Sequence, residues 1–247
     1  MLRRIARLLR GEDRRPFAAL QVEVTTHCFL RCSFCPRQSL RDRWTAGHMS
    51  MEVYETLTNS FRLARMVEMA KSAGCQVGLT TNGVLLSREM AARLTAAGLD
   101  LVAVSIAGAT PSTQAALRVG SDLSAIMENV AALNELRARS NSQTPRVVLL
   151  FMMLQSNLAE LPAVVDLAHQ VGAVEVAATN LDYLACPEHD AARAFSPAGA
   201  VSPWAEVVDE AASRAARLGI AFRPYPLVER EDILVCEAMA EWTAVVA

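Results

Sequence analysis

At 247 residues, 52% of them hydrophobic, the chain is long enough for one domain with a buried core and room for a small appendage. A formal net charge of −2 gives no electrostatic footprint for nucleic acid, and six cysteines in a chain this long do not make a disulfide scaffold. With no secretory leader and no apolar run long enough to span a bilayer, a reducing cytoplasm is the expected setting.

Residues 1–10 are basic and amphipathic and stop at Gly11. They read as a short helix covering the core, with a membrane-surface helix as the less favoured alternative. An apolar alternating stretch over residues 20–24 reads as a strand and leads directly into Cys28-Phe29-Leu30-Arg31-Cys32-Ser33-Phe34-Cys35. Thiolates are the usual protein ligands of iron–sulfur clusters, and closely spaced cysteines on one loop can wrap a single cluster. Three of them leave one iron of a four-iron cluster open to a small molecule. Zinc is the competing reading, but structural zinc wants four ligands, commonly from two separated pairs. His27 could be the fourth, although its neighbour Cys28 makes joint chelation awkward.

A polar, arginine-rich connection covers residues 38–47, and Ser50 then reads as an N-cap. No Gly or Pro interrupts the helical apolar pattern from there to Ala73, and Gly74 supplies the stop. This is one long helix of about 24 residues, on the order of 36 Å at 1.5 Å per residue. Residues 75–80 form a short strand ending in Thr81-Asn82-Gly83, and a helix over 87–97 closes at Gly98. The next strand, 101–106, runs into Ala107-Gly108, and a helix covers 124–139. A strand over 146–154, a helix started by Asn157 and Glu160 and ending at Gly172, and a strand over 174–179 complete the alternation. Residues 220–225 read as an outer strand.

Strands alternating with helices at this interval mean βα units and a parallel sheet or barrel. The count is about five barrel strands, with 20–25 and 75–80 expected to pair through a right-handed crossover that carries the long helix. Sites in such folds lie at the C-terminal ends of the strands, where the cysteines, Thr81-Asn82-Gly83 and Ser105 fall. Cys75 reads as core packing and Cys186 as a loop cysteine.

The spacing C-x3-C-x2-C, with Phe34 before the last cysteine, Val22-Glu23-Val24-Thr25 ahead of it and Pro36-Arg37 behind, resembles the signature of the radical S-adenosylmethionine (radical SAM) enzymes. The resemblance is closest to the subset with a SPASM or Twitch cluster-binding extension, many of which modify peptides. It implies a partial (β/α) parallel barrel, with Cys28, Cys32 and Cys35 holding a [4Fe–4S] cluster and SAM chelating the fourth iron. The family chemistry is reductive cleavage of SAM to a 5′-deoxyadenosyl radical that abstracts hydrogen from a substrate. That makes an oxidoreductase needing an electron donor such as flavodoxin or ferredoxin. A peptide is the first expected substrate and a small-molecule cofactor precursor the second.

Further along, Thr80-Thr81-Asn82-Gly83 resembles the family's third-strand motif and Val104-Ser105-Ile106-Ala107-Gly108 its fourth-strand motif. Ser105 matches a position that often contacts SAM, and Arg118 resembles an arginine that holds the SAM carboxylate. Phe34, Thr81, Asn82, Ser105 and Arg118 are therefore the expected cofactor-binding residues. Each also has a plain reading: Asn82-Gly83 as a turn, Ser105 bonding backbone, Arg118 as a solvated charge on a helix.

The chain departs from the family in three places. Ala107 replaces the usual Asp, and no Gly-Gly-Glu-Pro-like second-strand motif lies between Ser50 and Ala73. The segment 234–238 resembles the entry to the extension, but the later cysteines do not follow, which leaves Cys236 a free thiol. The resulting layout is a basic N-terminal helix (1–17), a radical SAM core (18–185) and a C-terminal remnant (186–247). A cluster-binding protein without SAM cleavage, or a shortened inactive variant, is the alternative.

Overall fold

Five parallel strands carry the core in the computed structural model, which describes residues 19–22, 26–47, 63–181, 186–194, 196, 200–228 and 243–246. In chain order the strands are β1 (Ala19–Val22), β2 (Arg31–Cys32), β3 (Gly78–Thr81), β4 (Leu101–Ile106), β5 (Arg118–Val119), β6 (Arg146–Met153), β7 (Glu175–Asn180), β8 (Ala221–Pro224) and β9 (Thr243–Val246). The helices are α1 (Pro36–Ser39), α2 (Leu63–Ser72), α3 (Arg88–Ala96), α4 (Pro111–Leu117), α5 (Leu123–Arg139), α6 (Leu161–Gln170), α7 (Pro187–Ala192) and α8 (Ala205–Leu218). None of the described helices is long and apolar enough to cross a membrane.

The main sheet runs β3-β4-β6-β7-β8, parallel throughout. It has the expected five strands, but not the expected five. Among the described residues β1 pairs in parallel with β9 instead of with the strand at 78–81. The fifth place goes to the outer strand β8, which α8 delivers to the free edge of β7 and which a backbone bond from Ala221 to the Val174 carbonyl (3.0 Å) starts. The N-terminal segment 1–17, residues 50–62 of the expected long helix and Cys236 lie outside the described residues; α2 falls within the remainder of that expected span.

Strand alternation gives the sheet two unlike faces. Val102, Val104, Ile106, Val147, Leu149, Phe151, Met153, Val176 and Ala178 point one way, buried against Ile126, Val130 and Leu133 of α5 and Leu161, Val164 and Val165 of α6. Each fully buried aliphatic there contributes about 1.5–3 kcal/mol, so this outer face holds the sheet together. The inner face carries only Ala103, Val148 and Ala177, with Leu101 and Leu150 partly buried beside them. At its N-terminal end Glu175 takes an ion pair from Arg223 at 3.2 Å and another from Arg146 at 3.8 Å.

Local signals explain most helix ends. Ser87 caps α3 by accepting the Met90 N–H, and Asp122 caps α5 through Ser124 and Ala125. Asn157 stands, as expected, at the N-cap position of the 3-10 turn Leu158–Glu160 that leads into α6, but its side chain makes no capping bond: it is 1% exposed and its amide is turned back to the strand ends. Helix α4, absent from the sequence reading, starts at Thr110, whose hydroxyl accepts the Thr113 N–H, with Pro111 in its first turn. Arg118 follows α4 on a short strand, not on a helix face.

Candidate functional site

The loop carrying the three cysteines is closed at its base by Thr26, whose N–H donates to the Gly47 carbonyl (2.9 Å) and whose hydroxyl accepts the Gly47 N–H (2.8 Å). Inside it, β2 pairs antiparallel with β5, setting Cys32 opposite Arg118, and the Ser33 N–H donates to the Leu117 carbonyl at 3.0 Å. The Cys35 N–H donates to the Cys32 carbonyl at 3.2 Å and Pro36 then opens α1. The Arg37 guanidinium donates to the Leu30 carbonyl and ties α1 back to the loop. Together these bonds turn the chain so that all three thiols, none in a disulfide, lie on one short wrap: Cys28 exposed, Cys32 buried and Cys35 between.

Leu30, Cys32 and Phe34 pack against Ala107, Leu154 and Leu181, the residues that follow β4, β6 and β7 on the inner-face register. The loop therefore sits over the C-terminal edge of the sheet. Ligand sites of parallel α/β folds lie on this edge.

Arg118 stands in the middle of this arrangement, its guanidinium carbon 5.7 Å from the centre of the Phe34 ring. Its Nε is buried without a hydrogen-bond partner. Burial pulls its pKa down, opposed by the charges of Cys32, Cys28 and Cys35. Burial pushes the Cys32 thiol up, with Arg118 opposing and the two neighbouring thiols adding to the rise. Three thiols near one half-buried guanidinium with an unpartnered Nε are a donor set suited to an iron–sulfur cluster with a carboxylate-bearing ligand beside it. Among the described residues no three Cys, His, Asp or Glu side chains converge on a single ion. Thiolates of a four-iron cluster each bind a different iron and need no such convergence.

The other expected residues are arranged less uniformly. Ser105 lies half-buried on the inner face, paired with Leu150, and its hydroxyl has no bond to another described side chain. Thr81 does not face it. Parallel register puts Thr81 beside Val104 on the helix side, and its hydroxyl accepts the Gly83 N–H at 3.1 Å. Asn82 accepts the Val84 N–H at 3.1 Å. The residue of that motif on the inner face is Thr80, beside Ala103 and exposed. Alternation from apolar Leu79 would have signalled this.

Three polar residues that the sequence reading did not assign to the site also hold it. Gln114 is fully buried, accepts the Ala107 N–H at 2.8 Å and donates to the Ser121 hydroxyl at 2.9 Å. Asn157 donates to the Ala107 carbonyl at 2.8 Å. At the rim, Ser39 donates to the Cys186 sulfur at 3.3 Å and lies 3.4 Å from Nε2 of buried His189. Cys186 thus faces the helix that follows the three cysteines, and Cys75 is only half-buried.

Comparison with known proteins shows what the chain is similar to. Residues 54–168 match the radical SAM superfamily, a span that begins after the cysteine loop. The tungsten-containing aldehyde ferredoxin oxidoreductase cofactor-modifying protein of Pyrococcus furiosus is 24% identical over 66% of this chain and 51% of its own length. The PqqA peptide cyclase of Gluconobacter oxydans is 29% identical over 67% of this chain and 50% of its own. The chain thus spans about half the length of these relatives. The crystal structure of Streptococcus suis SuiB bound to precursor peptide SuiA superposes with a TM-score of 0.64 at 12% identity, covering 90% of this chain and 53% of that one, a likeness of fold.

Proposed function

We propose that this protein is a radical SAM enzyme of the SPASM or Twitch type, working in the cytoplasm on a peptide, with residues 18–185 carrying its site and 186–247 adding α8 and β8 to the same sheet ahead of a remnant of a cluster-binding extension. The observation that carries the reading is the seat of the cysteine loop: Cys32 and Phe34 buried on the strand ends, over the inner face, with Arg118 beside them. Cys28, Cys32 and Cys35 are the ligands of one [4Fe–4S] cluster. When bound, cluster and SAM supply one-electron cleavage of the sulfonium and a radical that takes hydrogen from the substrate.

This chain's own residues hold and shield that chemistry. Arg118 presents a guanidinium fork to the SAM carboxylate, and its missing partner is supplied by that group. Ser105 offers a free hydroxyl on the same side of the sheet. Ala103 and Ala177 keep the inner face beneath the site low, and the Glu175 ion pairs mark its far, solvent-facing end. Cys28, exposed, is the side from which a flavodoxin- or ferredoxin-like donor delivers the electron. A peptide substrate is supported by two relatives, one named a peptide cyclase and one crystallised with a precursor peptide.

Anaerobic reconstitution with iron and sulfide, then EPR of the reduced protein with and without SAM, tests the reading. A four-iron signal that changes on adding SAM is the expected result. A signal indifferent to SAM makes the protein a cluster binder only, the outcome favoured by the lack of a Gly-Gly-Glu-Pro-like motif. Absence of any cluster overturns the assignment of the three cysteines.

A further inference from the structure

Ala107, where the fourth-strand motif has no carboxylate, has both backbone groups held by buried amides: its N–H by Gln114 Oε1 at 2.8 Å, its carbonyl by Asn157 Nδ2 at 2.8 Å. The Gln114 bond continues. Gln114 Nε2 donates to the Ser121 hydroxyl at 2.9 Å, and that hydroxyl donates to the Arg118 carbonyl at 2.7 Å. A separate backbone bond from the Ser121 N–H to the same carbonyl (3.0 Å) closes the turn. The approach that makes this possible is tight: a Cβ on Gly108 would lie 2.7 Å from the Thr113 Cβ and 2.9 Å from the Gln114 nitrogen. No other residue fits there without moving α4.

We infer that Gln114 and Ser121 are positioning residues that lock the Arg118 segment to the end of β4, so that Arg118 and Ser105 address one ligand as a rigid pair. This rests on the reading of Arg118 and Ser105 as SAM contacts. The bonds do not merely fill the core. Gln114 is a fully buried polar side chain whose two ends bridge two otherwise separate elements, and the chain of bonds ends on the residue whose buried Nε lacks a partner. Packing alone would be served as well by a leucine, at less desolvation cost. The amide is worth retaining where a small displacement of Arg118 matters, because a ligand bound through two fixed groups loses affinity when either one drifts.

The test uses the full chain with its cluster reconstituted and reads the SAM concentration giving half the EPR change. This quantity does not depend on the fraction of protein loaded, so a purely structural loss would not move it. Ser121→Ala keeps the backbone turn but breaks the relay, and Gln114→Leu removes both of its bonds. Each is expected to raise the half-saturating SAM concentration about tenfold, the loss typical when groups that orient a ligand's direct contacts are removed. Ser121→Thr, which retains the hydroxyl, restores it. Should Gln114→Leu fold poorly, Ser121→Ala carries the test alone. Unchanged half-saturation in Ser121→Ala overturns the inference while leaving the SAM site standing. A wild-type cluster that ignores SAM sinks the site reading, and the positioning role with it.

Discussion

Two turns at the C-terminal edge of the same sheet were both marked by sequence as cofactor-binding, and they use their polar atoms in opposite ways. In Thr81-Asn82-Gly83 every side-chain acceptor is engaged at home: Thr81 takes the Gly83 N–H, Asn82 the Val84 N–H, and Asn129 donates to the Gly83 carbonyl at 3.0 Å. Around the cysteine loop, backbone bonds do the folding, and three free thiols lie near a half-buried guanidinium whose buried Nε is unpartnered. A turn whose acceptors are engaged offers a ligand only its donors, the Thr81 hydroxyl and the Asn82 amide. One folded by its backbone leaves its side chains available, and in a protein interior an unsatisfied cation is costly enough to need a purpose.

The largest expected effects fall on the open turn. Cys32→Ala should abolish cluster assembly, read as iron and sulfide per chain after reconstitution, with little change in apo stability. A variant that still assembles the full cluster would break the contrast at once. Arg118→Met removes a half-buried charge whose Nε has no hydrogen-bond partner and whose guanidinium rests against the Phe34 ring. Apo stability should stay level or rise by about 1 kcal/mol, as when buried ions are exchanged for apolar groups. The SAM-induced spectral change should be lost. A variant less stable and still responsive to SAM would make Arg118 structural.

In the closed turn the damage should appear in folding. Gly83 has φ +77°, and a Cβ there would meet Ile126 Cγ2 and Val104 Cγ1, both at 2.9 Å. Gly83→Ala combines a left-handed backbone with overpacking against the core, and about 2–4 kcal/mol of stability should go. Urea denaturation of the apo protein measures it. The folded fraction should still take up cluster.

Sequence reading reached the three cysteines, the βα alternation and Arg118 because each has a local signal: spacing, period or a motif neighbour. It missed which strand completes the sheet, because the edge that accepts residue 221 depends on packing contributed by α8 far along the chain. Thr81 was preferred to Thr80 for want of the register, which puts the odd-numbered Leu79 and Thr81 against the helices. Gln114 carried no signal at all. An isolated glutamine in Pro-Ser-Thr-Gln-Ala-Ala-Leu looks like a solvated helix residue until α4 is laid against Gly108.

At the opposite end of β3 a third polar group sharpens the comparison, since it is half-buried and fully engaged. Asp100 accepts Lys71 Nζ at 2.7 and 2.8 Å and the Val77 N–H at 2.7 Å. Burial alone would raise its pKa, but those bonds win and hold it below the ordinary value of 3.8. A depressed carboxyl stabilises the fold above its unfolded pKa, and that contribution is lost as pH falls through the folded value. Asp100→Asn should therefore cost about 1–2 kcal/mol at neutral pH, the range for hydrogen bonds to a charged group. The gap to wild type should close in denaturation series run below about pH 4. A gap independent of pH would assign the effect to shape alone.

The smallest expected effect decides most about the closed turn. Asn82→Ala removes one acceptor, leaving the Val84 N–H to find water, and the loss should be about 0.5–1 kcal/mol. Because Asn82 is engaged with its own turn, SAM half-saturation of the cluster signal should match wild type. A several-fold rise would mean that the Asn82 amide leaves Val84 when ligand arrives. The two turns would then differ only before binding, and engagement in the apo fold would be no guide to which strand-end residues touch the ligand.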